Sequence, residues 1–277
     1  MNLTIRLEVG VSKTDDYKLP SDNFKMIINK EIKITEPTAE RVEIKNEWDT
    51  QEICSVFEDK KRVMVRAEYA GCGKSSAASY MEKLGHKVLF VCPTNKLAIN
   101  HKGITINKLF GFGMTSDIKM SKFDDSDYDV IVFDEIYFYS IGMLQKIKRY
   151  CENNIDKIIL ATGDMNQLEA IECLGNNIDK NYLDTCINLI FPYEVYLQEN
   201  KRLKTEEDKA ILKQFKNDIF NTELSVVDII EKYFEMTNKI TTKSNIAYTN
   251  KKCADVAKKV RVNLGKKDDY EVGEIGM

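Results

Sequence analysis

The chain has 277 residues, of which 43% are hydrophobic and 31% charged, with a formal net charge of −3. That length suits one large domain or two modest ones, and the apolar share is enough for a core, which excludes wholesale disorder. The near balance of charge excludes attraction of the whole surface to nucleic acid, so any such site must be a local basic patch.

Residues 2–9 alternate, with Leu3, Ile5, Leu7 and Val9 on one face, and a second β-like stretch covers 24–34 between Pro20 and Pro37. Residues 1–45 are therefore expected to be a small β-rich N-terminal extension. From about residue 46 short apolar runs alternate with helical patterns. Strands are predicted at 62–66, 87–91, 129–133, 157–161 and 195–197, with helices between them, for example at 74–84 and 141–151. The runs are rich in Val and Ile and lack polar alternation, as suits strands buried on both faces. This β/α order predicts an α/β fold, a doubly wound parallel sheet with function at the carboxyl ends of its strands. A polar helix is predicted over 205–220, then a strand at 245–248 and a lysine-rich helix at 251–260. The expected division is 1–45, 46–204 and 205–277, the last holding connecting helices and the incomplete start of a second α/β unit.

The first predicted strand runs into Ala70-Gly71-Cys72-Gly73-Lys74-Ser75-Ser76 and then a helix. This is the context of a P-loop, the phosphate cradle of ATP and GTP sites. Gly71 and Gly73 let backbone N–H groups converge on an anion, and the helix start adds its partial positive charge. Lys74 is expected to reach the β and γ phosphates, and the Ser75 hydroxyl to ligate Mg²⁺. The pattern G-x-x-x-x-G-K-[ST] would place a glycine at position 68, where this chain has Glu68. A chance glycine turn is the alternative reading of the run alone.

The partner element is the strand at 128–133, which ends in Asp134-Glu135. An acidic pair there can complete a Mg²⁺ shell through Asp134 and orient an attacking water through Glu135. A solvated loop is the alternative. One strand-turn of each kind, in this order, favours nucleotide binding.

Four further runs follow in fixed order: Cys92-Pro93-Thr94-Asn95-Lys96-Leu97-Ala98, Gly103-Ile104-Thr105-Ile106-Asn107-Lys108-Leu109, Gly163-Asp164-Met165-Asn166-Gln167-Leu168 and Leu197-Gln198-Glu199-Asn200-Lys201-Arg202. With them the sequence resembles the superfamily 1 helicases, nearest the RecD-like, 5'-3' branch, whose motor domains are RecA-like P-loop NTPases. The resemblance covers roughly 46–265, the first motor domain and the opening of the second. It implies that Pro93, Thr94 and Asn95 touch a nucleic-acid backbone, as do Thr105 and Asn107, with Asn107 where the branch usually has His. It implies that Gln167 senses the γ-phosphate and that Arg202 is an arginine finger. Gln51, on a predicted helix upstream of the P-loop, sits where the family's adenine-reading glutamine is found; an ordinary exposed glutamine is the alternative. Residues 244–250 resemble the first strand of the second RecA-like domain. The family's last two motifs are not found before Met277, which suggests a fragment or a degenerate relative.

Weaker signals have two readings each. The lysines and arginine between Lys251 and Lys267 could face phosphates or form a solvated helix face. Phe110 could stack a base or pack on the sheet. The Gly-Cys-Gly-Lys core is also similar to that of plus-strand RNA-virus helicases, a hint of a viral source. Seven cysteines at 54, 72, 92, 151, 173, 186 and 253 form no C-x-x-C pair, and only His86 and His101 could join them, so a zinc site is not expected. Reduced thiols, the lack of a signal-like leader and the lack of a membrane-length apolar run suggest a soluble intracellular protein, cytoplasmic or at a replication site if viral.

The expected function is an ATP-dependent superfamily 1 helicase or translocase, using ATP and Mg²⁺ on single-stranded nucleic acid, DNA favoured over RNA. Residues 1–45 could dock replication or repair proteins. The alternatives are another P-loop enzyme (a nucleotide kinase or an AAA-type ATPase), a viral RNA helicase, or a nucleotide-binding module without catalysis.

Overall fold

A computed structural model describes residues 38–112, 121–165, 180–221, 223–234 and 250–265. The strands expected at 2–9, 24–34 and 245–248, and Gln167 with the second half of its run, lie outside these residues. The chain divides into two compact units, residues 1–204 and 205–277.

The first unit holds seven strands: β1 (Glu40–Val42), β2 (Arg62–Ala67), β3 (Val88–Cys92), β4 (Ile104–Thr105), β5 (Val130–Phe133), β6 (Ile158–Thr162) and β7 (Tyr193–Leu197). Its helices are α1 (Thr50–Lys60), α2 (Lys74–Ser79), α3 (Asn95–Asn100), α4 (Ile106–Phe110), α5 (Ile141–Asn153) and α6 (Lys180–Ile190), with 3₁₀ turns at Tyr80–Leu84 and Ile136–Phe138. The sheet order is β1-β7-β2-β6-β5-β3-β4, and every pairing is parallel. The α/β doubly wound sheet is thus as expected from the sequence.

The unbroken apolar runs now have a reason. Successive strand residues point to opposite faces, and both faces are covered. Met64, Leu89, Val91, Ile131, Phe133 and Ile159 meet Leu144 and Ile147 of α5 and Leu183 and Ile187 of α6. Their neighbours Val63, Val65, Phe90, Val132 and Leu160 meet Ile53 and Phe57 of α1 and Ala77 and Ala78 of α2. Burial of apolar area on this scale, at roughly 25 cal/mol per Å², is the main force that fixes the sheet.

Two elements were not expected. β1 falls within 1–45, yet it pairs in register with β7, Glu40 opposite Tyr193 and Val42 opposite Val195. Part of that stretch is the outer strand of the main sheet. β4 has only two residues, beside β3. Gly103 precedes it because a Cβ there would stand 2.2 Å from the Phe90 carbonyl oxygen.

Polar side chains tie the layers at both ends of β2. Arg62 donates to the carbonyls of Cys151, Asn154 and Lys157 at 3.1, 2.7 and 2.6 Å, gathering the chain where α5 ends. Arg66 donates to Asp184 at 2.6 Å and Asn188 at 2.8 Å on α6. Its buried Nε faces Glu194 Oε2 at 2.6 Å as an ion pair, off the hydrogen-bond axis.

The second unit contributes α7 (Glu206–Ile219), α8 (Val226–Tyr233) and α9 (Asn250–Asn263). Phe215 of α7 meets Tyr233 and Phe234 edge-on at 5.0 and 5.8 Å, and Asp218 binds Lys232 at 2.7 Å. Among the described residues no helix is long and apolar enough to cross a membrane.

Candidate nucleotide site and strand-end loops

The loop after β2 turns through Gly71 (φ 92°) and Gly73 (φ 89°), both left-handed. Space is short as well: a Cβ on Gly71 would lie 3.0 Å from the Arg202 Cβ, and one on Gly73 3.3 Å from the Lys201 Cδ. Glycine therefore suits both the turn and the close approach. Gly73 caps α2, its carbonyl accepting from Ala77 N–H at 2.8 Å. Lys74, the first helical residue, is buried, Ser75 is half-buried and Ser76 exposed. Cys72 is fully buried, and burial pushes its thiol up, so it behaves as a small apolar filler. Glu68 does not have a positive φ. Its N–H donates to the Leu197 carbonyl at 2.8 Å, and its carboxylate takes the Tyr196 hydroxyl of β7. The position that a P-loop usually gives to glycine is here spent on joining two strand ends.

The residues after β7 wrap this loop. Buried Asn200 donates to the Ala70 carbonyl at 2.9 Å, and its oxygen accepts from Arg202 and Leu203 N–H at 2.9 and 2.8 Å. Lys201 N–H donates to the Gly71 carbonyl at 3.0 Å. The Lys201 ammonium donates to the Glu47 carbonyl at 2.5 Å and lies 4.8 Å from the centre of the Trp48 ring. The Glu47 carboxylate in turn accepts from Gln198 and Glu199 N–H at 2.7 and 2.9 Å. Arg202 is exposed at the rim. Gln51 lies in the first turn of α1, its backbone N–H bound by the capping carboxylate of Asp49 at 2.9 Å and its side chain exposed.

Asp134 extends β5, its N–H donating to the Val91 carbonyl at 2.9 Å. It is 1% exposed. Its Oδ1 accepts from Ser75 Oγ at 2.8 Å and Thr162 Oγ1 at 2.5 Å, and its Oδ2 stands 3.4 Å from His101 Nε2. Glu135 takes a left-handed φ of 51°, and its N–H donates to Thr162 Oγ1 at 3.3 Å. The turn separates the two carboxylates, one held in the sheet and one released from it. Burial raises the Glu135 pKa first, then the Asp134 charge and that of Asp164, with Lys74 opposing. Ser75 and Asp134 offer hard oxygen donors in contact with each other. Among the described residues no cluster of three His, Cys, Asp or Glu could hold a metal. The hydroxyl and carboxylate oxygens of Ser75 and Asp134 are of the kind that Mg²⁺ takes when phosphates and water supply the rest of its shell.

The other candidate residues lie at the ends of β3 and β4, adjacent strands. Thr94 caps α3, accepting from Leu97 N–H at 3.3 Å, and Thr105 caps α4, accepting from Lys108 N–H at 3.3 Å. Asn95 and Asn107 are exposed and Pro93 is half-buried. Lys96, Lys102 and Lys108 are exposed beside them. Phe110 sits 6.0 Å from Phe112 and 6.1 Å, edge-on, from Tyr150, packed on the core.

Sequence reasoning missed Thr162, His101, Asn200 and Glu47. Thr162 borders a run that carried a motif and Asn200 lies inside one, which was the one signal available. His101 and Glu47 gave none.

The chain matches the family described as viral superfamily 1 RNA helicase core domain over residues 69–266. No curated protein matches it. Among solved structures, two coordinating Pif1 helicases at forked double-stranded DNA are similar at a TM-score of 0.57 and 22% identity, over 82% of this chain and 59% of that one. Pif1 helicase from Bacteroides with ADP-AlF3 and single-stranded DNA gives 0.54 and 20%, over 83% and 59%. Pif1 helicase from Candida albicans gives 0.58 and 17%, over 82% and 56%. The fold is shared, and the chain spans less than two thirds of the length of each.

Proposed function

The chain belongs to the viral superfamily 1 RNA helicase core domain family, and from that premise we propose that it hydrolyses ATP to drive movement along single-stranded nucleic acid. The observation that carries this reading is the knot of Ser75, Asp134 and Thr162 hydroxyl and carboxylate groups, beside a buried Lys74. Asp134 is already hydrogen-bonded, and a buried carboxylate and a buried ammonium in one site suit a bound cation and its anion.

In this reading the loop from Gly71 to Ser76 binds the phosphates, and Lys74 meets the β and γ groups. Ser75 and Asp134 hold Mg²⁺, which when bound neutralises charge across the phosphate oxygens. Glu135 takes the proton of the attacking water, and its raised pKa makes it a better base than an ordinary carboxylate. Arg202 brings positive charge to the transferring phosphoryl group from the exposed rim, Gln167 reports the γ-phosphate, and Gln51 reads the base. Single-stranded DNA crosses the ends of β3 and β4 at Pro93–Asn95 and Thr105–Asn107, with Phe110 behind them. Partner docking through residues 1–45 narrows to 1–39, because Glu40–Val42 is committed to the sheet. The buried unpaired thiols Cys54, Cys72, Cys92 and Cys151 suit a reducing compartment.

The test is ATP turnover measured alone, with oligo-dT and with oligo-U. Stimulation by oligo-dT supports the reading, and stronger stimulation by oligo-U turns it towards RNA. No hydrolysis under any condition refutes the enzyme, and nucleotide binding without strand displacement leaves a binding module.

A further inference from the structure

The two oxygens of Asp134 keep different company. Oδ1 accepts from Ser75 Oγ at 2.8 Å and Thr162 Oγ1 at 2.5 Å, both hydroxyls of the phosphate site. Oδ2 faces a side chain from a different segment, His101, whose Nε2 lies 3.4 Å away. That ring is aimed by its own surroundings. His101 closes α3, its N–H donating to the Leu97 carbonyl at 3.1 Å. Lys102 then turns through a left-handed φ of 53°, and Gly103 N–H returns to the Ala98 carbonyl at 2.8 Å. The imidazole lies flat on Phe90 of β3, with ring centres 4.7 Å apart and planes 15° from parallel. Phe90 is itself buried in the sheet.

A carboxylate that gives one oxygen to a cation in a dry site must satisfy the other, because a buried unpaired acceptor is costly. The partner that does so also fixes which way the ligand points. We propose that His101 is a positioning residue of the metal site: its Nε2 faces Asp134 Oδ2, and this polar contact holds the carboxylate turned towards Ser75, in the orientation that receives Mg²⁺. This rests on the assignment of Ser75 and Asp134 to Mg²⁺ made under Proposed function. His101 does not touch nucleotide; it acts through Asp134.

Two substitutions separate the nitrogen from the ring. His101→Phe keeps an aromatic ring to stack on Phe90 and removes the donor. His101→Gln keeps a donor and gives up the ring. The measurement is the Mg²⁺ concentration for half-maximal binding of a non-hydrolysable ATP analogue by calorimetry, with affinity in EDTA and thermal melting alongside. His101→Phe is expected to need about tenfold more Mg²⁺ while its affinity in EDTA is unchanged, since outer partners of this kind are worth about 10–100-fold in metal affinity. His101→Gln is expected to recover most of that loss. Wild-type Mg²⁺ dependence in His101→Phe overturns the proposal, as does an equal loss in both variants, which would make the ring's packing the whole role. If His101→Phe melts abnormally, His101→Gln against His101→Leu makes the same comparison without the ring, and equal Mg²⁺ requirements there overturn it. If the wild-type protein binds the analogue equally well with and without Mg²⁺, the metal assignment itself falls, and that result is visible before any variant is made.

Discussion

Along one edge of the sheet, the ends of β2, β5, β6 and β7 enclose a lysine and a carboxylate among hydroxyls and backbone groups. On the adjoining strands, the ends of β3 and β4 hold Thr94, Asn95, Asn107 and three lysines out in water. The first group works by fixed geometry in a dry setting, where each charge is felt strongly and no reorientation is needed on binding. The second works through exposed charge, which salt screens within about 10 Å at 0.1 M. In the proposed function the same strand-end architecture would hold one site that selects by shape and one that attracts by field.

The contrast is broken most severely at Glu135. Glu135→Gln should lower turnover by about a thousandfold, a typical worth for a general base, with nucleotide binding retained in an equilibrium assay. The same substitution tests the dryness of the site. Burial raises the Glu135 pKa, so the folded state holds its proton more tightly than the unfolded chain does. That contribution is full at low pH and is lost as pH rises through the raised pKa. Glu135→Gln should therefore melt at or above the wild-type temperature at neutral pH, with the gap closing as pH falls into the carboxylate range. A lower melting temperature at neutral pH would contradict the cost of burial.

Lys74→Ala comes next. Charge-assisted hydrogen bonds to phosphate are worth about 1.5–3 kcal/mol each, so nucleotide affinity should fall by at least about a hundredfold in calorimetry. Unchanged binding would remove the site assignment entirely. Asn200→Ala should then cost about 1–3 kcal/mol in denaturant unfolding, because it strands the Ala70 carbonyl and the N–H groups of Arg202 and Leu203. Its nucleotide affinity should drop with the loosened loop. The smallest effect belongs to the wet side. Replacing Lys102 and Lys108 by Gln should weaken oligo-dT binding a fewfold at low salt and flatten the plot of log affinity against log salt by about one unit per lysine. Nucleotide affinity should not move; if it falls alongside, the two halves are not separate.

The sequence showed the dry half better than the wet one. A glycine turn after a Val-rich strand, and an acidic pair after another, are short-range patterns with few meanings. Thr162, His101, Asn200 and Glu47 were hidden because their roles exist only across strands: each touches a segment far away in the chain. β4 was invisible because two residues carry no periodicity, and β1 because an edge strand of three residues resembled the stretch before it. Phe110 shows an ambiguity that the sequence left open. An aromatic ring beside a glycine suits either a stacking platform or packing on the sheet, and here it lies edge-on to Tyr150. Glu68, a flaw in the loop's pattern, turned out to have its own partner in Tyr196.

The protein contains one tryptophan. It is Trp48, whose indole N–H is bound by Glu199 and whose face carries the Lys201 ammonium. The stem of that lysine is the neighbour a side chain at Gly73 would meet. An anion settling on the glycine turn pulls at the same cation that sits over the ring. Excited beyond the absorption of the tyrosines, the chain has a single emitter beside the phosphate loop, and its emission is expected to change when an anion occupies that loop.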